Sequence, residues 1–325
     1  MAEIIIKYRK SPVAIAGFEA LVKRLPANHP KQETFKERLN SINAGFGGEQ
    51  RLDHLMKYFD PAYPYLIIQD LSISTNVDFQ VDTVLVTQSC VVLLEVKNLS
   101  GKLRFTVNPS GLHQTKATGE ERGYPSPLVQ AEVIKWKFES VLKSMDVSLP
   151  VHAFLVIAYP NQIVVDTPPG SVIWSADEVM IRLHNFNMPM EQISDNEMHQ
   201  LGQQLLSIAS EFNPFPLAMK YGISPKEIAK GVFCPSCITI KMNRCKRSWH
   251  CPECKLLSSS AHHEAIREWF MLIKPSISAA ECKDFLELEH LSTARNILKN
   301  PIYKRVGNNK MRRYYIDTQM SIHGK

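Results

Sequence analysis

Four short runs between Tyr65 and Val107 constrain this chain most: YLIIQDL, VDFQVDTVLVT, CVVLLEVKN and KLRFTV. They are rich in β-branched residues and separated by turn residues, so each reads as a strand. The preceding stretch GFGGEQRLDHLMKYF reads as a helix opened by glycines. A helix over about 127–144 and an apolar strand, VHAFLVIAYP, come afterwards, and a helical stretch over about 177–208 closes the unit. Strands and helices in this order predict an α/β fold, a mixed sheet flanked by helices. Ahead of it, Ile15, Phe18, Leu21, Val22 and Leu25 recur at helical spacing, so residues 1–44 read as a helical lead-in with no visible chemistry. Pro214, Pro216 and Pro225 mark a domain boundary over about 212–230.

Size and composition exclude several classes. A chain of 325 residues with 44% hydrophobic content has enough apolar surface for two or three packed units rather than extended disorder. It has no apolar run of the roughly 18 to 20 residues that a membrane-spanning helix needs, and MAEIIIKYRK lacks the layout of a signal peptide. A soluble, cytoplasmic protein without a membrane partner is the expectation. The net charge of +6 permits a polyanionic partner without demanding one. Five of the seven cysteines fall between Cys234 and Cys254, a clustering that suits metal ligation better than a disulfide framework.

Alternation along a strand places Gln80 and Asp82 on one face, and Glu95 and Lys97 on one face of the next strand. Charges in strands that otherwise read as sheet core are costly to bury uncompensated. A divalent cation held by the Asp82 and Glu95 carboxylates is one compensation: magnesium takes hard oxygen ligands and keeps positions for water and phosphate. Lys97 would then orient the attacking water or stabilise developing negative charge. Glu49, on the preceding helix, offers a further carboxylate. Solvent-facing edge charges, or a simple Glu95–Lys97 ion pair, account for the tripeptide EVK equally well.

The runs GGEQRLDHLMKYF and FQVDTVLVTQSCVVLLEVKNLSGKL resemble the nuclease-related domain called NERD, a branch of the PD-(D/E)xK phosphodiesterases. In that family a glycine-glutamate pair opens the first helix, ahead of a Q-x-D strand, an E-x-K-N strand and a glycine in the next turn. The resemblance covers about 45–160, within a domain expected to run over 45–212. It implies a restriction-endonuclease-like sheet and a catalytic set of Glu49, Gln80, Asp82, Glu95 and Lys97, with Asn98 and Gly101 completing the signature. SPLVQAEVIKW resembles the family's later helix and adds Gln130. A magnesium or manganese ion on Asp82 and Glu95, and hydrolysis of DNA, are what the resemblance implies. Val81 stands where the superfamily's name has proline, a residue without chemistry.

Downstream, CPSCITIKMNRCKRSWHCPEC holds two CxxC pairs, Cys234 with Cys237 and Cys251 with Cys254, separated by 13 residues. Such spacing predicts a structural zinc ribbon over 231–258, with all four thiolates on one Zn2+. Cys245 and His250 lie between the pairs as substitute ligands. Lys241, Arg244, Lys246, Arg247 and Trp249 fill the intervening loop, either to contact phosphate and stack a base or to offset the dianionic zinc site.

The last segment, 262–325, predicts two short helices, the second starting near Ser292 or Thr293, then a hairpin around a Gly-Asn-Asn turn. Helix, helix and hairpin resemble a winged helix. No acidic residue occurs from His290 to Ile316, while Arg295, Lys299, Lys304, Arg305, Lys310, Arg312 and Arg313 all do, which predicts contact with a DNA backbone. A solvated, partner-binding face is the other reading of those charges. Together these features predict a metal-dependent DNA nuclease. A non-catalytic nucleic-acid-binding or regulatory protein on the same fold is the alternative, an RNA substrate remains open, and the sequence leaves the oligomeric state undetermined.

Overall fold

The structure, a computed structural model, describes residues 4–74, 78–308 and 311–316. The chain divides into two compact units, Met1–Ser11 with Asn43–Phe212 and Pro12–Ile42 with Asn213–Lys325. It opens with β1 (Ile5–Lys7), α1 (Val13–Arg24) and α2 (Gln32–Met56), the last of which contributes to both units.

In the first unit β2 (Tyr65–Ile73), β3 (Phe79–Thr87) and β4 (Val91–Lys97) form the strand run read from sequence. After them come β5 (Gly101–Val107), β6 (Ser110–Thr115), β7 (Glu121–Pro125), α3 (Pro127–Ser144), β8 (Val151–Ile157), β9 (Gln162–Asp166), β10 (Ile173–Ser175), α4 (Val179–His184) and α5 (Asp195–Ser207). The main sheet has the order β1-β2-β3-β4-β8-β10. It is mixed: β2, β3 and β4 pair antiparallel, whereas β1 joins β2, β8 joins β4 and β10 joins β8 in parallel.

Both faces of this sheet are covered, because side chains alternate across it. Leu66, Ile68, Val84 and Leu93 pack with Phe138 and Leu142 of α3 and Leu201 and Leu205 of α5. Ile67, Leu85, Val92 and Leu94 pack on the opposite face with Leu52 and Met56 of α2 and Val179 and Leu183 of α4. A second sheet, β7-β6-β5-β9, lies beyond; its Leu103, Phe105 and Leu112 bury against Leu155 and Ile157 of β8. Gly101 opens β5 at φ +88°, where an added Cβ would lie 2.3 Å from the Thr115 carbonyl oxygen.

Two local readings change. The N-terminal lead-in is not wholly helical: β1 precedes α1 and pairs with β2, because Ile5 and Ile6 supply an apolar edge to the sheet. The glycines do not open a helix either. Gly45, Gly47 and Gly48 lie inside the continuous α2, and Gly48 is there for close approach: its added Cβ would lie 2.8 Å from Cβ of Asn98 and 3.1 Å from Cβ of Ala158.

The second unit contains α1, the start of α2, α6 (Leu217–Lys220), β11 (Asn243–Cys245), β12 (Ser248–His250), β13 (Leu257–Ser258), α7 (Ala261–Leu272), α8 (Ala279–Phe285), α9 (Leu291–Ile297), β14 (Tyr303–Val306) and β15 (Arg313–Ile316). One apolar cluster runs through it, from Phe18 and Leu21 of α1 through Met242 and Trp249 to Ile266 and Phe270 of α7 and Phe285 of α8. The cysteine segment and the C-terminal helices therefore share a core. At its centre Arg24, fully buried, is matched by Glu268, to which its Nε donates at 2.6 Å, and by the Ala229 carbonyl. β11, β12 and β13 form a three-stranded antiparallel sheet. After α7, Ile277 bridges antiparallel to Tyr314, so the C-terminal order is helix, bridging residue, helix, helix, hairpin.

Candidate active site

The polar and charged residues singled out in the first unit come from three elements. Asp82 sits on β3, Glu95 and Lys97 on β4, Glu49 on α2, and Gln80 at the start of β3. In the β2–β3 ladder Gln69 pairs with Thr83 and Leu71 with Val81; the residue between, Asp70, stands opposite Asp82 at φ +53°. Aspartate tolerates that left-handed backbone better than most residues. Asp82 is 8% exposed, and its Oδ2 accepts the Val96 backbone N–H at 2.8 Å, which ties β3 to the residue between Glu95 and Lys97. Lys97 Nζ donates to Glu95 Oε1 at 2.8 Å.

The lead-in contributes what its sequence did not reveal. Arg9, whose side chain is 3% exposed, donates from Nε to Asp53 Oδ2 at 2.7 Å and from Nη1 to Glu49 Oε2 at 2.7 Å. Its Nη2 reaches the Asp82 carbonyl and Thr83 Oγ1, and its backbone N–H donates to Gln69 Oε1 at 2.8 Å. Asp53 lies one helical turn beyond Glu49, so the i, i+4 spacing puts both carboxylates on the Arg9 side of α2. Lys7 donates to the Asp70 carbonyl, and Asp70 Oδ1 accepts from Gln80 Nε2 at 2.8 Å. Gln80 thus buttresses Asp70. Asn98 donates to the Ala44 carbonyl at 2.7 Å and accepts from Gln162 at 2.6 Å, which fastens the end of β4 to α2 beside Gly48.

Gln130 is half-buried in the first turn of α3, where its backbone N–H donates to the Ser126 carbonyl. Among the described residues its side chain makes no hydrogen bond to these carboxylates. Arg9, Asp53 and Asp70 were missed from sequence. An aspartate interrupting the apolar run YLIIQDL, and another at i+4 from Glu49, were signals for two of them; Arg9 left none.

Electrostatics follow from burial. Asp82 is pushed well above the usual carboxylate range by burial, then by the Glu95 and Glu49 charges beside it. Burial also raises Glu49 despite Arg9, with Asp70, Asp53 and Glu95 adding to the shift, and burial raises Asp53 against its Arg9 partner. For Lys97, burial opposes the charge, but Glu95, Asp82 and Glu49 prevail and the amine is raised. The rim is a site of excess negative charge.

The chemistry of this donor set, carboxylate oxygens, suits a hard divalent ion. Oδ2 of Asp82 and Oε1 of Glu95 are engaged, while among the described residues the other oxygen of each accepts no hydrogen bond. Hard carboxylate oxygens of this kind are what magnesium or manganese takes.

In the second unit the Sγ atoms of Cys234, Cys237, Cys251 and Cys254 all lie within 4.8 Å of one another. Cys234 and Cys254 are 3.6 Å apart and Cys237 and Cys251 3.9 Å. Tetrahedral zinc with Zn–S near 2.3 Å requires about 3.8 Å between sulfurs. Each CPxC turn is followed by a left-handed residue, Ile238 at φ +61° and Lys255 at φ +62°. This cluster is compatible with a zinc ribbon; Cys245 and His250 lie outside it. Trp249 is buried, donates from Nε1 to His262 Nδ1 at 3.1 Å and lies under the Arg244 guanidinium, so it packs the core rather than offering a face for a base.

Of the basic C-terminal residues, Arg295, Lys299, Lys304 and Arg305 are exposed and Arg312 is half-buried. Arg313 is committed internally, to Ser276 Oγ at 2.7 Å and Glu281 at 2.9 Å. Lys310 lies outside the described residues. No helix among the described residues is long and apolar enough to cross a membrane.

Residues 44–158 match the model of the family described as nuclease-related domain, NERD. No curated protein and no solved structure matches the chain.

Proposed function

We propose, from the premise that residues 44–158 form a nuclease-related domain, that this protein is a metal-dependent phosphodiesterase acting on DNA. One observation carries the reading: Asp82, buried at the sheet rim beside Glu95 and Glu49, has more negative charge around it than Lys97 and Arg9 offset. A divalent ion bound there supplies Lewis-acid polarisation of the scissile phosphate and acidifies its water. Asp82 and Glu95 would hold it through the carboxylate oxygens not already engaged. Lys97, kept protonated by the carboxylates around it, stabilises charge developing on the phosphate oxygens. Glu49 and Gln80 position their neighbours, Glu49 through Arg9 and Gln80 through Asp70. Gln130 would act on the substrate side.

In the second unit, the order helix, bridging residue, helix, helix, hairpin supports reading this segment as a winged helix. Its exposed Arg295 and Lys299 on and just after α9, and Lys304 and Arg305 on β14, supply phosphate contacts. The cysteine ribbon takes a structural zinc.

Labelled linear, nicked and single-stranded DNA, and RNA of the same sequence, incubated with magnesium, manganese or chelator test the reading. Cleavage that needs metal and disappears in Asp82→Ala and Lys97→Ala supports it, and the substrate arms separate DNA from RNA. Binding without cleavage under every metal would instead favour a non-catalytic nucleic-acid-binding protein, a reading supported by the direct Glu95–Lys97 ion pair.

A further inference from the structure

We infer that Arg9 is a built-in second cation of the candidate active site, so that the site takes a single divalent ion, on the Asp82–Glu95 side. The inference rests on the metal-dependent reading above and specifies how many ions that reading involves.

Two cations can neutralise a carboxylate cluster: metal ions, or fixed side chains. On the α2 side the place is taken by a side chain. Arg9 spends Nη1 on Glu49 Oε2 and directs Nε and Nη2 at both Asp53 oxygens, at 2.7 and 3.4 Å. Its remaining contacts go to the Asp82 carbonyl and Thr83 Oγ1, and its own N–H is fixed by Gln69. The guanidinium is held from α2 and β3 and the Arg9 backbone from β2, and the planar fork matches this arrangement as an ammonium cannot. Among the described residues no cation donates a hydrogen bond to the Asp82 carboxylate. Lys97 pairs with Glu95, leaving one oxygen on each of Asp82 and Glu95 without a hydrogen bond among the described residues.

The charges agree with the geometry. The buried and half-buried groups of the rim are Glu49, Asp53, Asp70, Asp82 and Glu95 against Lys7, Arg9 and Lys97. The deficit is two charges. One divalent ion closes it, whereas two would leave an excess of positive charge in a poorly solvated place. Arg9 therefore acts as a positioning residue: it holds Glu49 and Asp53 together, offsets one of their two charges and keeps a second ion from the α2 side.

Manganese binding without nucleic acid, followed by electron paramagnetic resonance and calorimetry on the zinc-loaded full chain, tests this independently of turnover. Wild type should bind about one Mn2+ per chain. Asp82→Asn should weaken binding by about tenfold or more. Glu49→Gln should change it by less than about threefold, the size of a screened charge effect. Arg9→Gln should add a second ion that Arg9→Lys does not admit and that Arg9→Gln combined with Glu49→Gln loses again. Two ions on wild type, or a loss in Glu49→Gln as large as in Asp82→Asn, would overturn the inference while leaving the metal-dependent reading standing. Absence of binding by wild type would remove both. The Glu49→Gln arm decides the matter even if Arg9→Gln fails to fold.

Discussion

Asp82 shows how one residue's burial dictates its chemistry. It is enclosed by β3, β4 and α2, and its charge is opposed by Glu95 and Glu49 more than it is relieved by Lys97. Burial, then Glu95 and Glu49, disfavour the charged form of this carboxylate. Asp82→Asn keeps an oxygen for the Val96 N–H and removes the charge, so in metal-free protein it should raise unfolding stability by about 1 to 3 kcal/mol while abolishing metal-dependent activity. Denaturant unfolding with chelator and cleavage with magnesium check the two halves. A loss of stability would show that Asp82 is compensated without metal. Gly48 is the second residue whose identity is forced. Gly48→Ala would press a methyl group onto Asn98 and Ala158, displacing the α2 turn that carries Glu49. A fall in unfolding free energy of about 1 to 3 kcal/mol, with weaker catalysis, is the expected result, read by thermal unfolding and kcat. Both positions were legible in the sequence as types, a charge inside a strand and a glycine in a helix. The Glu95 partner of Asp82 was legible too, on the neighbouring strand, whereas the Asn98 neighbour of Gly48, 50 residues away, was not.

Among elements, the cysteine ribbon has the most local ligand set, because its two CxxC turns bring the four thiolates together, while its Met242 and Trp249 belong to the shared core. With four sulfurs at these separations, metal analysis of reduced protein should return about one zinc per chain. Removing it with a chelator should expose Trp249, seen as a change in tryptophan fluorescence. An unaltered spectrum would mean that the segment folds without metal. Next to the ribbon, His262 makes the second unit sensitive to acid. Burial, then His263 and Arg244, lower its pKa from 6.5 to about 4, and Trp249 donates to its Nδ1, which must stay unprotonated. The unfolded chain therefore binds more protons between these values. Stability contributed by neutral His262 is intact above about 6.5 and declines toward 4, by at most roughly 1.4 kcal/mol per pH unit. His262→Gln, which does not titrate, should flatten urea-unfolding stability between pH 7 and pH 5 relative to wild type, assuming roughly equal effects of all other groups. Equal slopes would exclude the effect.

Across the whole molecule, charge distribution matters more than the net +6. Arg295 and Lys299 are exposed on and just after α9, whereas Arg313 is spent on Ser276 and Glu281. Neutralising Arg295 and Lys299 together should weaken DNA binding at all sequences and flatten the salt dependence by about 2 in log–log slope. Arg313→Ala should chiefly lower stability instead. A binding titration against salt separates them, and an unchanged slope in the double variant would remove α9 from the interface. Much of the architecture was readable beforehand, because strand alternation, helical spacing and CxxC spacing are local patterns in which each residue's neighbours in sequence carry the information. The α/β sheet, the cysteine cluster and the shared face of Glu95 and Lys97 belong to that kind. Arg9 does not: nothing in YRK marks one basic residue as buried, and only pairing of β1 with β2 delivers it to Glu49 and Asp53. The same holds for α1, which reads as a lead-in yet joins the core of the second unit. Periodicity tells a chain which side chains to hide; which distant surface hides them, and which charge meets which, emerges only when the packed layers bring remote segments within hydrogen-bond reach.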